Sequence, residues 1–360
     1  MQLLVITNHD SAADLSEWLA RDFLPDEIEV RAVGSRHQRL PHRLRYLFWL
    51  AEARKAVRLE RHDPIYHHHV TFASELTPPP FVASSSALKV WGPVGSKQNP
   101  HVHLVSQHTP DRYGYFIAYA LLAKVKKIAL ALNVARSRPD IIFTQALLGD
   151  TRIGSTEVEY FPNTVILDRD GDVDPVDSQD RDPSAPRILA VARIIPLKRL
   201  EIAVELMARP EMCNATLAII GQPPAGKENY LSSIVEELGV GSQVEFLGSL
   251  PPQDVLRHMT SSTVLLHPSS SEGSCGVIGE AVSVGLPVIC FDETGAADSL
   301  RLCGGHGEIV DPSATDPLGA IAAAVKEISV SVRPEPNDYW GPRRMHLRLT
   351  EMLEAARRAR

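Results

Sequence analysis

Short apolar runs, each followed by a longer segment with apolar residues three and four apart, recur along the whole chain. Runs at Leu3–Thr7, Ile28–Val33, Ile65–Val70, Ala87–Trp91, His103–Val105, Ile141–Thr144 and Val165–Leu167 predict strands. An amphipathic helix through Leu15, Trp18 and Leu19 and a long helix over Ile117–Ala135 lie between them. Between Asp168 and Pro186 the rhythm breaks: seven aspartates and prolines at 175, 183 and 186 leave almost no apolar residue, which marks a linker. It then restarts with strands Ile188–Val191, Leu217–Ile220, Val244–Phe246, Val264–His267, Val288–Phe291 and Gly307–Val310. Helices Leu200–Ala208, Tyr230–Leu238, Pro252–Met259, Gly276–Val284 and Asp316–Ile328 are interleaved, and 337–360 holds a further helix that comes too late for this sheet. Alternating strands and helices predict two doubly wound α/β domains, 1–175 and 176–336, with ligands at the C-terminal strand edges.

With 360 residues, 44% apolar and 22% charged, the chain is neither disordered, fibrous nor a disulfide-stapled miniprotein. A net charge of −7 argues against a general nucleic-acid binder. The four cysteines, at 213, 275, 290 and 303, form no C-x-x-C pair, so neither a zinc nor a redox motif is indicated, and they fit a reducing cytoplasm. The N-terminus lacks a basic region and reads as a first strand, not a signal peptide. Ala118–Ala135 is interrupted by Lys124, Lys126 and Lys127, so no membrane span is expected. No G-x-G-x-x-G follows the first strand of either domain, which removes a nicotinamide dehydrogenase.

The strongest constellation is Ser271-Glu272-Gly273-Ser274-Cys275-Gly276-Val277-Ile278-Gly279-Glu280-Ala281, which opens a helix ending at Gly285-Leu286-Pro287. Small residues at 273–276 admit a ligand close to the backbone, and the helix N-terminus offers it free N–H groups. Such a place suits a phosphate or a sugar hydroxyl. Glu272 and Glu280 would repel a phosphate, so they are expected to accept hydrogen bonds from hydroxyls. A glycine-rich loop with one capping and one surface glutamate is the plainer reading. Arg193 and Lys198, after the first strand of the second domain, suit a diphosphate clamp, a fork plus a point charge. Ordinary cations on a solvated loop are the alternative.

Together these residues make the second half similar to the nucleotide-sugar-binding half of retaining GT-B glycosyltransferases of family 4. The resemblance rests on Arg193 and Lys198 (R-x4-K), Glu272 and Glu280 (E-x7-E), Gly285-Leu286-Pro287-Val288-Ile289 and Val244-Glu245-Phe246-Leu247-Gly248, and covers roughly 186–312. It implies the GT-B fold, two Rossmann-like domains facing each other across a cleft, with 1–175 taking the acceptor and 176–336 the donor. The helix in 337–360 would cross back to the first domain. It also implies that Arg193 and Lys198 neutralise the donor diphosphate, that Glu272 reads sugar hydroxyls and that Glu280 reads the ribose. Gly221, Leu250, Gly273, Ser274, Cys275, Gly276 and Val277 would complete the donor site. Many members carry Gly-Phe-Gly after the first glutamate; here Gly273-Ser274-Cys275-Gly276 follows, which leaves the sugar open.

The first half resembles envelope-polysaccharide members at Asp63–Phe72, a histidine-bearing strand end, and at Trp91-Gly92-Pro93-Val94-Gly95, where Ser96 replaces a last glycine. The resemblance implies His68 or His69 beside the anomeric centre, and Asn8, His9, Gly92 and Gly95 on the acceptor side. Because strand neighbours alternate faces, at most two of His67, His68 and His69 share a ligand; a metal site and a structural or acceptor-facing histidine are the competing readings. The loop Asn8–Ala13 lacks the glycine pair the family often has there. Asp168–Asp174 contains D-x-D triplets, but Val173 and Gln179 stand where a calcium loop needs glycine and glutamate, so a hinge is expected and no metal cofactor.

From Arg31 to Arg61 there are nine Lys/Arg and two glutamates around Leu44, Tyr46, Leu47, Phe48, Trp49 and Leu50. Such a segment suits peripheral contact with an anionic membrane, as for a lipid-linked acceptor, or a packed helix with a solvated basic face. The expected function is a retaining glycosyltransferase moving a sugar from a nucleotide diphosphate, UDP or GDP, to a hydroxyl acceptor in polysaccharide or glycoconjugate synthesis, cytoplasmic or at the inner membrane face. A small-molecule glycosyltransferase, a catalytically weak partner subunit, and a phosphorylase or epimerase on the same scaffold are the alternatives.

Overall fold

A computed structural model describes residues 3–7, 12–13, 28–33, 42–59, 64–70, 74–81, 86–95, 97–98, 104, 108–109, 114–147, 149, 151–163, 166, 182–223, 225–226 and 230–359. The first half contains β1 (Leu3–Thr7), β2 (Ile28–Ala32), α1 (His42–Leu59), β3 (Tyr66–His69), β4 (Leu88–Val94), β5 (Lys97–Gln98), α2 (Gly114–Ser137), β6 (Ile141–Thr144), β7 (Arg152–Ile153) and β8 (Thr156–Tyr160). The second contains β9 (Arg187–Val191), α3 (Leu200–Met207), β10 (Thr216–Ile220), α4 (Tyr230–Leu238), β11 (Val244–Gly248), α5 (Pro252–Ser261) and β12 (Val264–His267). Then follow β13 (Ser271–Glu272), α6 (Gly276–Ser283), β14 (Val288–Phe291), α7 (Gly295–Leu302), β15 (Gly307–Val310), α8 (Pro317–Val330) and α9 (Pro342–Arg358). The elements gather into two compact units, one from 1–92, 128–142 and 152–157, the other from 93–127, 143–151 and 158–360.

In the first unit β1 and β2 pair in parallel from Leu3 opposite Ile28 to Thr7 opposite Ala32. A separate sheet has the order β3-β4-β6-β8-β7, with β3 and β4 parallel and β7–β8 an antiparallel hairpin. Two expected strands are corrected. Leu104, the described residue of His103–Val105, sits in a helical turn and its carbonyl accepts from Arg199 Nη2 at 2.6 Å. Ile166, the described residue of Val165–Leu167, is outside any strand and donates its N–H to the Trp340 carbonyl at 2.9 Å.

The second unit is built on a six-stranded parallel sheet ordered β11-β10-β9-β12-β14-β15. Its strands alternate by residue between two apolar layers, as the pleat requires. Ile188, Ala190, Val264, Leu266, Ile289 and Phe291 face a core shared with α3, α4 and α8. Leu189, Leu265, Val288 and Cys290 face the other, shared with α5, α6, α7 and Trp340. Both faces are covered, which is why these strands read as unbroken apolar runs. The order reverses between β9 and β12, so a crevice opens outside their C-terminal ends, the place where such sheets take ligands. The tail locks onto the same unit: Trp340 fills the space over Gly279, where an added Cβ would come within 2.3 Å of the indole, and Arg348 donates to the Tyr160 carbonyl.

Candidate active site

The site is assembled from the two strand ends beside this switch point. After β9 the chain crosses β10 so closely that Gly221, at φ +147°, could not carry a Cβ: it would lie 1.8 Å from the Ala192 oxygen. Arg193 follows, exposed. The chain then makes a tight turn over Pro196–Lys198, and Arg199 takes a left-handed φ of 52° to start α3. The Leu197 carbonyl of that turn accepts from the Ser270 N–H at 2.9 Å and from the Ser269 and Ser270 hydroxyls at 3.2 Å each. This triple tie brings the turn to the segment after β12. It places the Lys198 ammonium against Glu272 Oε1, and His267 Nε2 lies 2.9 Å from the same oxygen. Burial works against ionisation of Glu272, yet the hydrogen bond and charge of His267 and the charge of Lys198 outweigh it and hold the carboxyl down at about 2. A carboxylate is an acceptor only, so Nε2 is the donor in that contact.

The Glu272 loop is held on every side. β13 pairs antiparallel with β5, Ser271 opposite Gln98 and Glu272 opposite Lys97. A Cβ on Gly273 would meet Gln145 Oε1 at 2.3 Å, and one on Gly295 would meet the Glu272 oxygen at 2.3 Å, so both glycines let the loop lie flat between neighbours. Gln145 is itself fixed, its N–H on the Val94 carbonyl at 3.0 Å and its amide on the Pro93 carbonyl at 3.3 Å. The Ser274 hydroxyl accepts from the Asn163 N–H at 3.2 Å. Tyr119 hydrogen-bonds Ser271, and burial, with the Glu272 charge adding to it, pushes its phenol up. α6 starts at Gly276 with Cys275 at its N-cap making no side-chain cap; the Ile278 N–H goes to the Cys275 carbonyl at 2.9 Å, which leaves the Gly276 and Val277 N–H groups to face an anion. Val277 and Glu280 are half-buried on α6; Leu250 and Val277 pack against the core layer beneath. A fixed carboxylate, a lysine and an uncapped helix start thus meet at the switch point, groups able to accept from hydroxyls and to face an anion.

Residues 176–331 match the glycosyl transferases group 1 family. This segment is a group 1 glycosyltransferase domain. The domain's relatives include the D-inositol 3-phosphate glycosyltransferase of Nocardia farcinica, 30% identical over 150 residues covering 39% of this chain and 33% of that one. The lipopolysaccharide glucosyltransferase WaaG of Escherichia coli is 28% identical over 137 residues, 37% of this chain and 35% of that one. The matched region thus spans about a third of the length of the curated relatives it matches. In three dimensions the whole chain is similar to sucrose-phosphate synthase from Thermosynechococcus elongatus, at TM-score 0.60 and 13% identity over 100% of both chains. It is also similar to Anabaena HepE in complex with UDP, at TM-score 0.56 and 15% identity over 99% of this chain and 100% of that one. The fold is GT-B, as the sequence predicts.

Outside the group 1 domain, the histidine run separates cleanly. His68 is exposed and its Nε2 lies 2.9 Å from the Gly92 carbonyl; Gly92 and Gly95 take φ of +124° and +84°. His69 is buried, 3.2 Å from the Tyr46 hydroxyl and stacked on Trp49. Desolvation, helped by the His68 charge, lowers the His69 pKa to about 4. Neutral His69 therefore stabilises the fold fully above about pH 6.5, and that stability is lost as pH falls from about 6.5 towards 4, roughly 3 kcal/mol over the interval. We expect His69→Phe to flatten the stability profile across this window, measured by urea denaturation at pH 7 and pH 4.5; parallel profiles would mean that His69 is not the titrating group.

Asn8, His9, Ser96 and the acidic stretch 168–181 lie outside the described residues. A cavity of about 670 Å³ lined by Arg187, Thr216, Val244 and Thr263 sits at the N-terminal strand ends, opposite the site, and plays no part in it. His267, Tyr119, Gln145 and Gly295 carry no motif in the sequence that marks them as part of the site. His267 was hidden as the last residue of an apolar strand; the others come from distant segments, and only Gly295 carried a local signal, the cap at Thr294.

Proposed function

We propose that this chain is a retaining glycosyltransferase that moves a sugar from a nucleotide diphosphate to a hydroxyl acceptor in polysaccharide or glycoconjugate synthesis. The observation that carries the reading is the Lys198–Glu272–His267 cluster beside the uncapped start of α6. Lys198 and Arg193 neutralise the diphosphate, with the first-turn N–H groups of α6, at Gly276 and Val277, adding to them. Departure of the diphosphate leaves an oxocarbenium-like sugar, so catalysis here is mainly stabilisation of the leaving charge. These groups supply the positive charge, and we assign no metal cofactor to the reaction. Glu272, ionised and fixed, accepts hydrogen bonds from sugar hydroxyls; Glu280 reads the ribose, with Gly221, Leu250, Gly273, Ser274 and Cys275 around them. His68, exposed and aimed by the Gly92 carbonyl, is the histidine we assign to the anomeric centre; the acceptor meets the segment around Gly92 and Gly95, and Asn8 and His9. The acceptor attacks the face the diphosphate leaves, giving retention without a protein nucleophile.

HepE holds UDP, so uridine donors come first in the test. We expect one nucleoside diphosphate among UDP, GDP, dTDP and ADP to raise the melting temperature by several degrees, and its sugars to undergo slow hydrolysis. No stabilisation by any of them would refute the donor assignment. Stabilisation without hydrolysis or transfer would favour the catalytically weak partner subunit, the reading that the glycine-poor Asn8–Ala13 loop supports. A lipid-linked acceptor belongs to the same proposal. Among the described residues no helix is long and apolar enough to cross a membrane, but α1 exposes Leu47 and Phe48 together with Arg54, Lys55 and Arg58. Failure to co-sediment with anionic vesicles would remove the membrane contact.

A further inference from the structure

His267, Glu272 and Cys275 present an imidazole nitrogen, a carboxylate oxygen and a sulfur within 4.8 Å of one another. His267 Nε2 lies 3.4 Å from Cys275 Sγ and 2.9 Å from Glu272 Oε1. A tetrahedral ion bound at about 2.0–2.3 Å spaces its ligands roughly 3.3–3.8 Å apart, so the two His267 spacings are within a few tenths of an ångström of such a site, and the Glu272–Cys275 pair, within 4.8 Å, has to close by about an ångström at most. Each corner is anchored by separate structure: His267 ends β12, Glu272 is in β13, and Cys275 is the N-cap of α6 with its N–H on the Ser299 hydroxyl at 3.3 Å. His267 and Cys275 are buried, 2% and 4% exposed. Approach is through Glu272 and Lys198, whose side chains keep 11% and 17% of their exposure.

We propose that His267, Glu272 and Cys275 form a binding site for a borderline-soft divalent cation, zinc above all, and that the ion and Lys198 compete for Glu272. Sulfur with imidazole selects zinc or cobalt over magnesium and calcium, which prefer all-oxygen cages. Binding takes the thiol proton to solvent and moves the His267 Nε2 proton, which Glu272 accepts in the free protein, to Nδ1; metal–sulfur, metal–nitrogen and metal–oxygen bonds form, leaving the fourth position open. Lys198 sits on the same Oε1 that His267 meets, so an ion on that oxygen displaces the ammonium and draws off the carboxylate's charge, and it silences the site rather than serving it. That consequence rests on the proposed reaction; the metal site does not.

The test is a titration of the full chain with cobalt and zinc. One equivalent of cobalt is expected to give tetrahedral visible bands and a near-ultraviolet thiolate charge-transfer band. Cys275→Ser should abolish the latter, Cys213→Ser should not, and His267→Gln should weaken zinc by more than the roughly 10–100-fold lost with an outer hydrogen-bond partner. Lys198→Ala should tighten zinc, because the competing ammonium is gone; it also tests the site without touching a buried ligand, should the other variants fail to fold. No stoichiometric cobalt, or a charge-transfer band that survives Cys275→Ser, would overturn the site. Zinc that binds but leaves donor hydrolysis unchanged would overturn the competition. An intact cobalt spectrum in a protein that hydrolyses no donor would support the site and count against the proposed reaction alone.

Discussion

Lys198→Ala is expected to lower kcat for donor hydrolysis by about 10²–10³-fold, the effect of removing one preorganised group from a developing anion. The lysine sits at the end of a tied turn: three hydrogen bonds to the Leu197 carbonyl hold it against Glu272, in the segment just before α6. It is therefore pre-positioned and has little to reorganise during reaction. Stability should change much less. Removing one partner of a fully buried ion pair costs about 3–5 kcal/mol, but here His267 still donates to Glu272 and the Lys198 side opens to water. A fall of only a few degrees in melting temperature is expected alongside the large loss in rate. Arg193→Ala should lose less, because its guanidinium is exposed and has no ion-pair partner among the described residues. Unchanged turnover in Lys198→Ala would refute the leaving-group assignment, and a rate loss matched by unfolding would reduce the lysine to a structural role.

The sheet of the second unit was legible because its strands are buried on both faces and so appear as runs such as Val264–His267 and Val288–Phe291, each within a residue or two of its place. The R-x4-K and E-x7-E spacings were legible because each pair lies within one local stretch. The supports of the site were not, since Gln145, Tyr119 and β5 reach the Glu272 loop from more than a hundred residues away and leave no local trace. α7 was missed because Gly295-Ala296-Ala297 dilutes the apolar pattern, and those small residues are what lets its start lie against the Glu272 and Gly273 carbonyls. The histidine run shows the same limit from the other side. Strand alternation says that His68 and His69 face opposite ways but not which one faces the core; Tyr46 and Trp49 on α1 decide it.

Gly221→Ala is expected to be, with Gly307→Ala, among the most damaging single-methyl changes in the second unit, about 4 kcal/mol or more and roughly 10 °C in melting temperature. Two independent penalties act at once. The φ of +147° is one that side chains rarely adopt, and the new Cβ would stand 1.8 Å from the Ala192 oxygen and 2.8 Å from its carbon, both rigid backbone atoms. Gly239→Ala separates the two, since its φ of +68° carries strain but nothing lies within 4 Å; it should cost only about 1–2 kcal/mol. The clash cannot be relieved without cost to the site. Ala192 donates its N–H to the Ile220 carbonyl at 3.0 Å, and Gly221 donates to the Gly248 carbonyl at 2.7 Å, so β9, β10 and β11 are stitched together at this level. Moving Ala192 away moves Arg193, the next residue, and the turn that carries Lys198. Whatever folded Gly221→Ala protein is recovered should therefore also bind the nucleotide more weakly, whereas Gly239→Ala should bind normally at its lower melting temperature. Equal stability of the two variants would mean that the strand ends yield easily, and the crossing would then not be what fixes Arg193 and Lys198 in place.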